Sequence, residues 1–344
     1  MPKSANRKKT IFFKFFLLNF LFLAACATGS PKHRDVSKGF INDDFVIVKT
    51  TDKDTLSSLA ADHLNDPTKG WLIAEFNDIK TPTPGQTLII PFSPIHKGGL
   101  KTDGFQTIPV LVYHKFSKNR SGESSVAKAD FEAQMNYLKE SGFHVISLDQ
   151  LLDFMDYKEQ LPEKSVAITF DDAWGSIYDI AFPVLKKYGF PATFFIYTDF
   201  IGGGKAMSWD QIQTLSEQGF DIQCQTKTHR NLTKRKKNES FEEYFKALEK
   251  EIDYPKTLIE KKLKKKCKYL AYPYGITNDL IVAILKKQGY RAGFTVERGS
   301  NPFFVDKYRI HRSIIHGKYD IESFKNNLSV FQTNILYLIV FLSF

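Results

Sequence analysis

Cysteine is scarce: three residues in 344, too few to staple a disulfide-held mini-domain. Fourteen prolines and 20 glycines exclude a collagen-like or low-complexity chain. No apolar run reaches the ~20 residues of a membrane-spanning helix. Residues 11–25 are interrupted by Lys14 and Asn19, and the apolar end at 335–342 is shorter still. Acid is in deficit, with 38 Asp and Glu against 48 Lys and Arg, a formal net charge of +10. What is present excludes wholesale disorder. With 42% hydrophobic and 25% charged residues, the chain can bury enough apolar surface to offset its conformational entropy. The length suggests about two domains of ~150 residues.

The first 25 residues read as targeting. Lys3, Arg7, Lys8 and Lys9 form a positive start, and the apolar stretch closes on Leu23-Ala24-Ala25-Cys26. This ending resembles a bacterial lipobox, which implies lipidation of Cys26 and a membrane partner through the lipid. The alternative is an ordinary signal peptide with a chance cysteine. Removing residues 1–25 takes the net charge from +10 to +5. That is too small an excess to argue for nucleic acid as the partner of an exported chain. Residues 26–43 suit a flexible tether. Ala27, rather than Asp, follows the cysteine, and by resemblance to lipoprotein sorting this favours an outer membrane where the cell has one.

Residues 44–92 read as a small unit in the order strand, helix, helix, strand. Phe45-Val46-Ile47-Val48 and Leu88-Ile89-Ile90-Pro91 are the strands, and Asp54-Thr55 caps the first helix. With Leu59-Ala60, Asn77 and Pro84-Gly85-Gln86, the unit resembles a LysM domain, although Lys53 replaces the usual glycine before the aspartate. The resemblance implies an N-acetylglucosamine-containing glycan as partner. The plain alternative is a packing module without a ligand. Residues 93–107, rich in glycine, read as linker.

From Ile108 to about residue 328, strands and helices alternate, which predicts a parallel sheet closed or nearly closed into a barrel. Polar residues gather at predicted strand ends. Asp171-Asp172 follow Phe170. Two adjacent carboxylates repel unless a cation or proton resolves them, so they are either a metal ligand beside a free base or a helix-capping pair. Gln225-Thr226-Lys227-Thr228-His229 follow Cys224, Tyr272-Pro273-Tyr274-Gly275 follow a third strand, and Tyr113-His114 end the first. Each fragment has a structural reading alone. Their joint occurrence at successive strand ends points to one site.

Together they resemble the polysaccharide deacetylase family, carbohydrate esterase family four, in the branch that acts on poly-N-acetylglucosamine. The resemblance implies a distorted (β/α) barrel, here α/β after a small βααβ domain, and hydrolysis of N-acetyl groups with a divalent metal ion, zinc by expectation. It makes Asp171 the general base, His114 the general acid, and Asp172 and His229 metal ligands. Tyr272, Pro273 and Tyr274 would line the substrate groove, and Arg309 or Arg312 would support the base. Gln225 departs from the family's histidine as third ligand. The amide oxygen could hold the ion weakly, selectivity could move toward harder ions, or catalysis could be lost with glycan binding retained. The basic runs at 234–237 and 261–268 read as solvated faces, and Trp174, Trp209 and Cys224 as core. Residues 329–344 form an apolar tail with no assigned role.

Overall fold

The computed structural model describes residues 41, 43–93, 97–120 and 122–333. Cys26, the signal segment, most of the tether and the end of the apolar tail lie outside the described residues. Among the described residues no helix is long and apolar enough to cross a membrane.

The first unit folds in the expected order. Strands β1 (Phe45–Lys49) and β2 (Thr87–Pro91) pair antiparallel, with helices α1 (Leu56–Leu64) and α2 (Gly70–Phe76) between them. Thr55 and Ser58 form a reciprocal cap at the start of α1. Val46, Leu59, Ile73, Leu88 and Ile90 make the unit's own core. Asn77 ties α2 to β2, its side chain accepting from the N–H of Ile89 and donating to that residue's carbonyl.

The larger domain is built on β3 (Ile108–Tyr113), β4 (His144–Ile146), β5 (Ser165–Asp171), β6 (Thr193–Ile196), β7 (Asp221–Cys224), β8 (Tyr269–Ala271), β9 (Ala292–Phe294) and β10 (Ser313–Ile314). Side-by-side order is β9-β8-β7-β6-β5-β3, all parallel, with β4 along the start of β5 and β10 along β3. The sheet curls until its edges meet. Ile310 bridges Phe294 of β9, and Ser313 and Ile314 pair with Leu111 and Val112 of β3. One short segment, residues 310–314, therefore closes the barrel.

Strand alternation sorts the side chains. On β5, Val166, Ile168 and Phe170 face the outer helices, whereas Ala167 faces the interior. Thr169 and Asp171 share the parity of Ala167, so Asp171 ends the strand pointing inward. Helix α4 (Leu148–Met155), capped by Ser147 and Gln150, plugs the N-terminal end with Leu148, Leu151, Leu152 and Met155. The remaining helices cover the outside. They are α3 (Lys128–Glu140), α5 (Phe182–Tyr188), α6 (Trp209–Glu217), α7 (Phe241–Leu263), α8 (Asp279–Lys287) and α9 (Ile321–Lys325). A five-residue π turn at Ile177–Ala181 leads directly into α5. The 23-residue α7 was not anticipated, because Pro255 lies inside it and proline ordinarily ends a helix.

Candidate active site

Asp171 is 1% exposed at the inner rim of the barrel. Arg312 meets it with both guanidinium nitrogens, Nη1 to Oδ1 at 2.7 Å and Nη2 to Oδ2 at 2.8 Å. The arginine is fully buried. Its Nε donates to the Thr295 carbonyl at 2.8 Å, and its guanidinium lies 5.2 Å from the centre of the Phe195 ring. Removing two charges from water is costly, and a two-point, fully hydrogen-bonded geometry offsets that cost. Arg312 reaches the site because it lies in the segment that closes the barrel. Arg309, the other candidate, pairs instead with Asp279 and Asp306 at the surface.

Gln225 is 2% exposed and spends its amide on both carboxylate residues. Its Nε2 donates to Asp171 Oδ2 at 3.1 Å, and its Oε1 accepts the Asp172 N–H at 2.8 Å. A carboxylate has about four acceptor positions. Asp171 uses three of them on Arg312 and Gln225, which leaves one on Oδ1.

Asp172 turns away from the strand with φ at +77°. Trp174 Nε1 donates to its Oδ2 at 3.1 Å. Its Oδ1 lies 3.5 Å from Nε2 of His229. His229 stands between two rings, Tyr197 and Tyr274, each with its centroid 4.9 Å away. Burial, followed by the charge of Asp172, raises the Tyr197 hydroxyl above its ordinary pKa. The backbone is strained throughout: Asp172, Ala173, Thr226, His229 and Tyr274 all have positive φ. Such residues cost free energy and cluster at functional sites. Gly275 is obligatory in the same turn, since a Cβ there would lie 2.3 Å from Val296 Cγ2.

The Tyr272-Pro273-Tyr274 expectation needs correction. Tyr272 is fully buried in the outer helix layer, where its hydroxyl donates to the Tyr308 carbonyl at 2.8 Å, and Pro273 is buried as well. Strand parity is the reason: Tyr272 follows Leu270 onto the helix side. Of the three, only Tyr274, 60% exposed, is open to solvent. It borders a cleft of about 300 Å³ lined also by Ile276, Thr295, Val296, Glu297 and Arg309. Trp174, expected in the core, packs partly buried against it and also donates to Asp172. His114 follows β3 on the inward parity, one step beyond the Tyr113–Phe170 pair and therefore level with Asp171.

The expected ion fits only in part. The 3.5 Å between His229 and Asp172 matches the ~3.3 Å edge of a tetrahedral zinc with 2.0–2.1 Å bonds. A catalytic zinc takes three protein ligands. Among the described residues no group of three His, Cys, Asp or Glu side chains could hold a metal. Gln225, expected as the third ligand, has its amide committed to Asp171 and to the backbone of Asp172. The residues present do not make a three-ligand zinc site.

Residues 158–293 match the family described as polysaccharide deacetylase. Over 199 residues the chain is 35% identical to the poly-beta-1,6-N-acetyl-D-glucosamine N-deacetylase of Staphylococcus epidermidis, a match spanning 56% of this chain and 68% of that protein. The chain belongs to the polysaccharide deacetylase family. It is thereby a hydrolase of carbon–nitrogen bonds other than peptide bonds, in a family whose members are generally metal-dependent. A Bacillus cereus polysaccharide deacetylase superposes with a TM-score of 0.55 at 27% identity, covering 73% of this chain and 74% of that one. A Streptococcus pyogenes deacetylase in complex with acetate shares the fold, with a TM-score of 0.58 at 23% identity over 65% of this chain and 99% of that one. A relative in Staphylococcus aureus, 30% identical over 58% of this chain and 72% of that protein, carries the same name as the Staphylococcus epidermidis one.

Proposed function

We propose that this deacetylase removes N-acetyl groups from an N-acetylglucosamine-containing polysaccharide at the cell envelope. The observation that carries the reading is the buried Asp171–Arg312 pair beside Asp172 and His229 at one barrel mouth. In this reading water attacks the acetyl carbonyl carbon while the free position on Asp171 Oδ1 takes its proton. The guanidinium of Arg312 holds that carboxylate in line. The oxyanion forms against backbone N–H near Tyr274. The carbon–nitrogen bond breaks as His114 gives a proton to the leaving sugar nitrogen, and acetate and a free amine result. Tyr274 offers its exposed ring to a sugar face.

The unit at 44–92 is proposed to hold the glycan as a LysM domain does, supported by its βααβ order and the Asn77 tie between helix and strand. A lipid on Cys26 would anchor the chain.

The committed amide of Gln225 favours a second reading, a glycan binder without turnover. Acetate release from N-acetylated glucosamine oligomers, measured for the wild type and for Gln225→His with added zinc, separates them. Release by the wild type supports the deacetylase. Release by the variant alone supports the binder.

A further inference from the structure

We propose that Glu251, together with Pro255, is the positioning element of the His229 loop. The inference rests on the deacetylase reading for its activity readout. Helix α7 buries the stripe Tyr244, Leu248, Glu251, Ile252, Pro255, Ile259 and Leu263. One carboxylate among apolar neighbours is costly and requires full hydrogen bonding. Glu251, 6% exposed, finds that bonding on the loop. Its Oε2 accepts the N–H of Lys227 at 3.1 Å and of Thr228 at 2.8 Å, and its Oε1 accepts the Thr228 hydroxyl at 2.7 Å. Every one of these donors lies within two residues of His229.

Pro255 supplies a fourth tie. In a regular helix the carbonyl of Glu251 would accept the N–H four residues on. Proline has none. The freed carbonyl accepts the Lys227 N–H instead, at 3.0 Å. The irregularity that hides this helix from sequence reading is therefore what opens an acceptor to the site loop.

The loop needs this hold. Thr226 and His229 both sit at positive φ, +74° and +61°, a conformation that side chains with a Cβ resist. The Thr226 hydroxyl accepts the His229 N–H at 3.1 Å, and Glu251 fixes the two residues between. The result is an imidazole set between Tyr197 and Tyr274 and facing Asp172. Glu251 touches no reacting atom; it acts through His229.

The test compares Glu251→Leu, Glu251→Gln and Pro255→Ala in the full chain. Each is followed by thermal melting, by kcat and KM for acetate release, and by NMR of the isotope-labelled His229 ring. Leucine removes all three side-chain bonds. Glutamine keeps them, its oxygen accepting both N–H groups and its NH2 donating to the Thr228 hydroxyl. Glu251→Leu is expected to lose kcat by about 10- to 100-fold with KM little changed and to shift the His229 ring signals. Glu251→Gln should stay within about threefold of wild type, with wild-type ring signals.

Pro255→Ala restores a competing helix N–H. It is expected to melt at the same or a higher temperature while losing kcat, a combination that a merely structural role does not give. If Glu251→Leu does not fold, Thr228→Val, which removes one bond, should show a smaller ring shift and a smaller loss. Folded Glu251→Leu with wild-type ring signals and kcat would overturn the proposal, and so would a glutamine variant as impaired as leucine. If the wild type releases no acetate, the deacetylase reading fails, and the His229 ring signals still decide this one.

Discussion

The two ends of the barrel handle charge in opposite ways. At the N-terminal end, Asp149, Asp153 and Asp156 meet Lys268, Arg291 and Lys307 in a lattice of half-exposed pairs. Each acid there meets more than one cation, and only Asp149 and Asp153 lie within a regular element, helix α4. At the C-terminal end, Asp171 has one cation, Arg312, with both side chains essentially sealed from solvent. Asp172 has none nearer than a histidine, and its backbone is strained. The lattice tolerates exchange because water shares the work. The mouth does not, because each group there has few substitutes. On the proposed reading, durability lies at one end and chemistry at the other.

The largest effect should come from breaking the sealed pair. Arg312→Met strands a buried carboxylate and should cost about 3–5 kcal/mol, whereas Arg291→Met at the other end should cost about 1 kcal/mol or less for each half-exposed pair. Denaturant melts of the two variants test this contrast, and equal losses would break it. Arg312→Lys sharpens it, since an ammonium cannot bond the carboxylate at two points; a lysine variant should remain clearly less stable than wild type.

A smaller effect concerns pH at the N-terminal end. Glu75 of α2 accepts the N–H of Glu163 at 2.7 Å, beside a cavity of about 310 Å³ between the first unit and the barrel. Burial, with the charge of Glu163 adding to it, raises its carboxyl to about 7 from 4.5. Between those values the unfolded chain releases a proton that the folded chain keeps. Stability should therefore fall as pH rises from 4.5 to about 7. Glu75→Gln should flatten that slope in melting scans, and an unchanged slope would remove Glu75 from the account.

Asp156 has the opposite sign. Burial raises its carboxyl, but the Lys307 and Arg291 bonds outweigh burial and lower it to about 2 from 3.8. Its contribution is present above 3.8 and is lost as pH falls through about 2. Asp156→Asn should give the smallest change, a modest shift of the acid-unfolding midpoint to higher pH, because the variant lacks a contribution that the wild type holds above 3.8 and loses only as pH falls through about 2. No shift would mean that the lattice compensates fully.

Much of the barrel was legible because its strands are short apolar runs that end in polar residues. The alternation of strand and helix expected from Ile108 onward is the one observed, as in α4, β7 and β8. Asp171, Asp172, His229 and Tyr274 lie together, as their joint placement at successive strand ends suggested. Three features were not legible, each for a physical reason. Arg312 could not be chosen over Arg309, because the closing segment is too short to carry a periodic signal. Gln225 could be recognised as a departure, but its double hydrogen bond depends on the curl that turns the end of β7 toward the end of β5 across the intervening β6. Helix α7 was masked by Pro255, although Ser240 and Glu243, which form its reciprocal cap, were a usable start signal.

The central claim is that Asp171, held by Arg312, is the base of a hydrolytic site. The direct test is acetate release by Asp171→Asn against wild type on the same N-acetylated oligomer, with both proteins confirmed folded. A loss of about 10²- to 10⁴-fold in kcat is expected, whereas an asparagine variant that releases acetate at the wild-type rate would contradict the account.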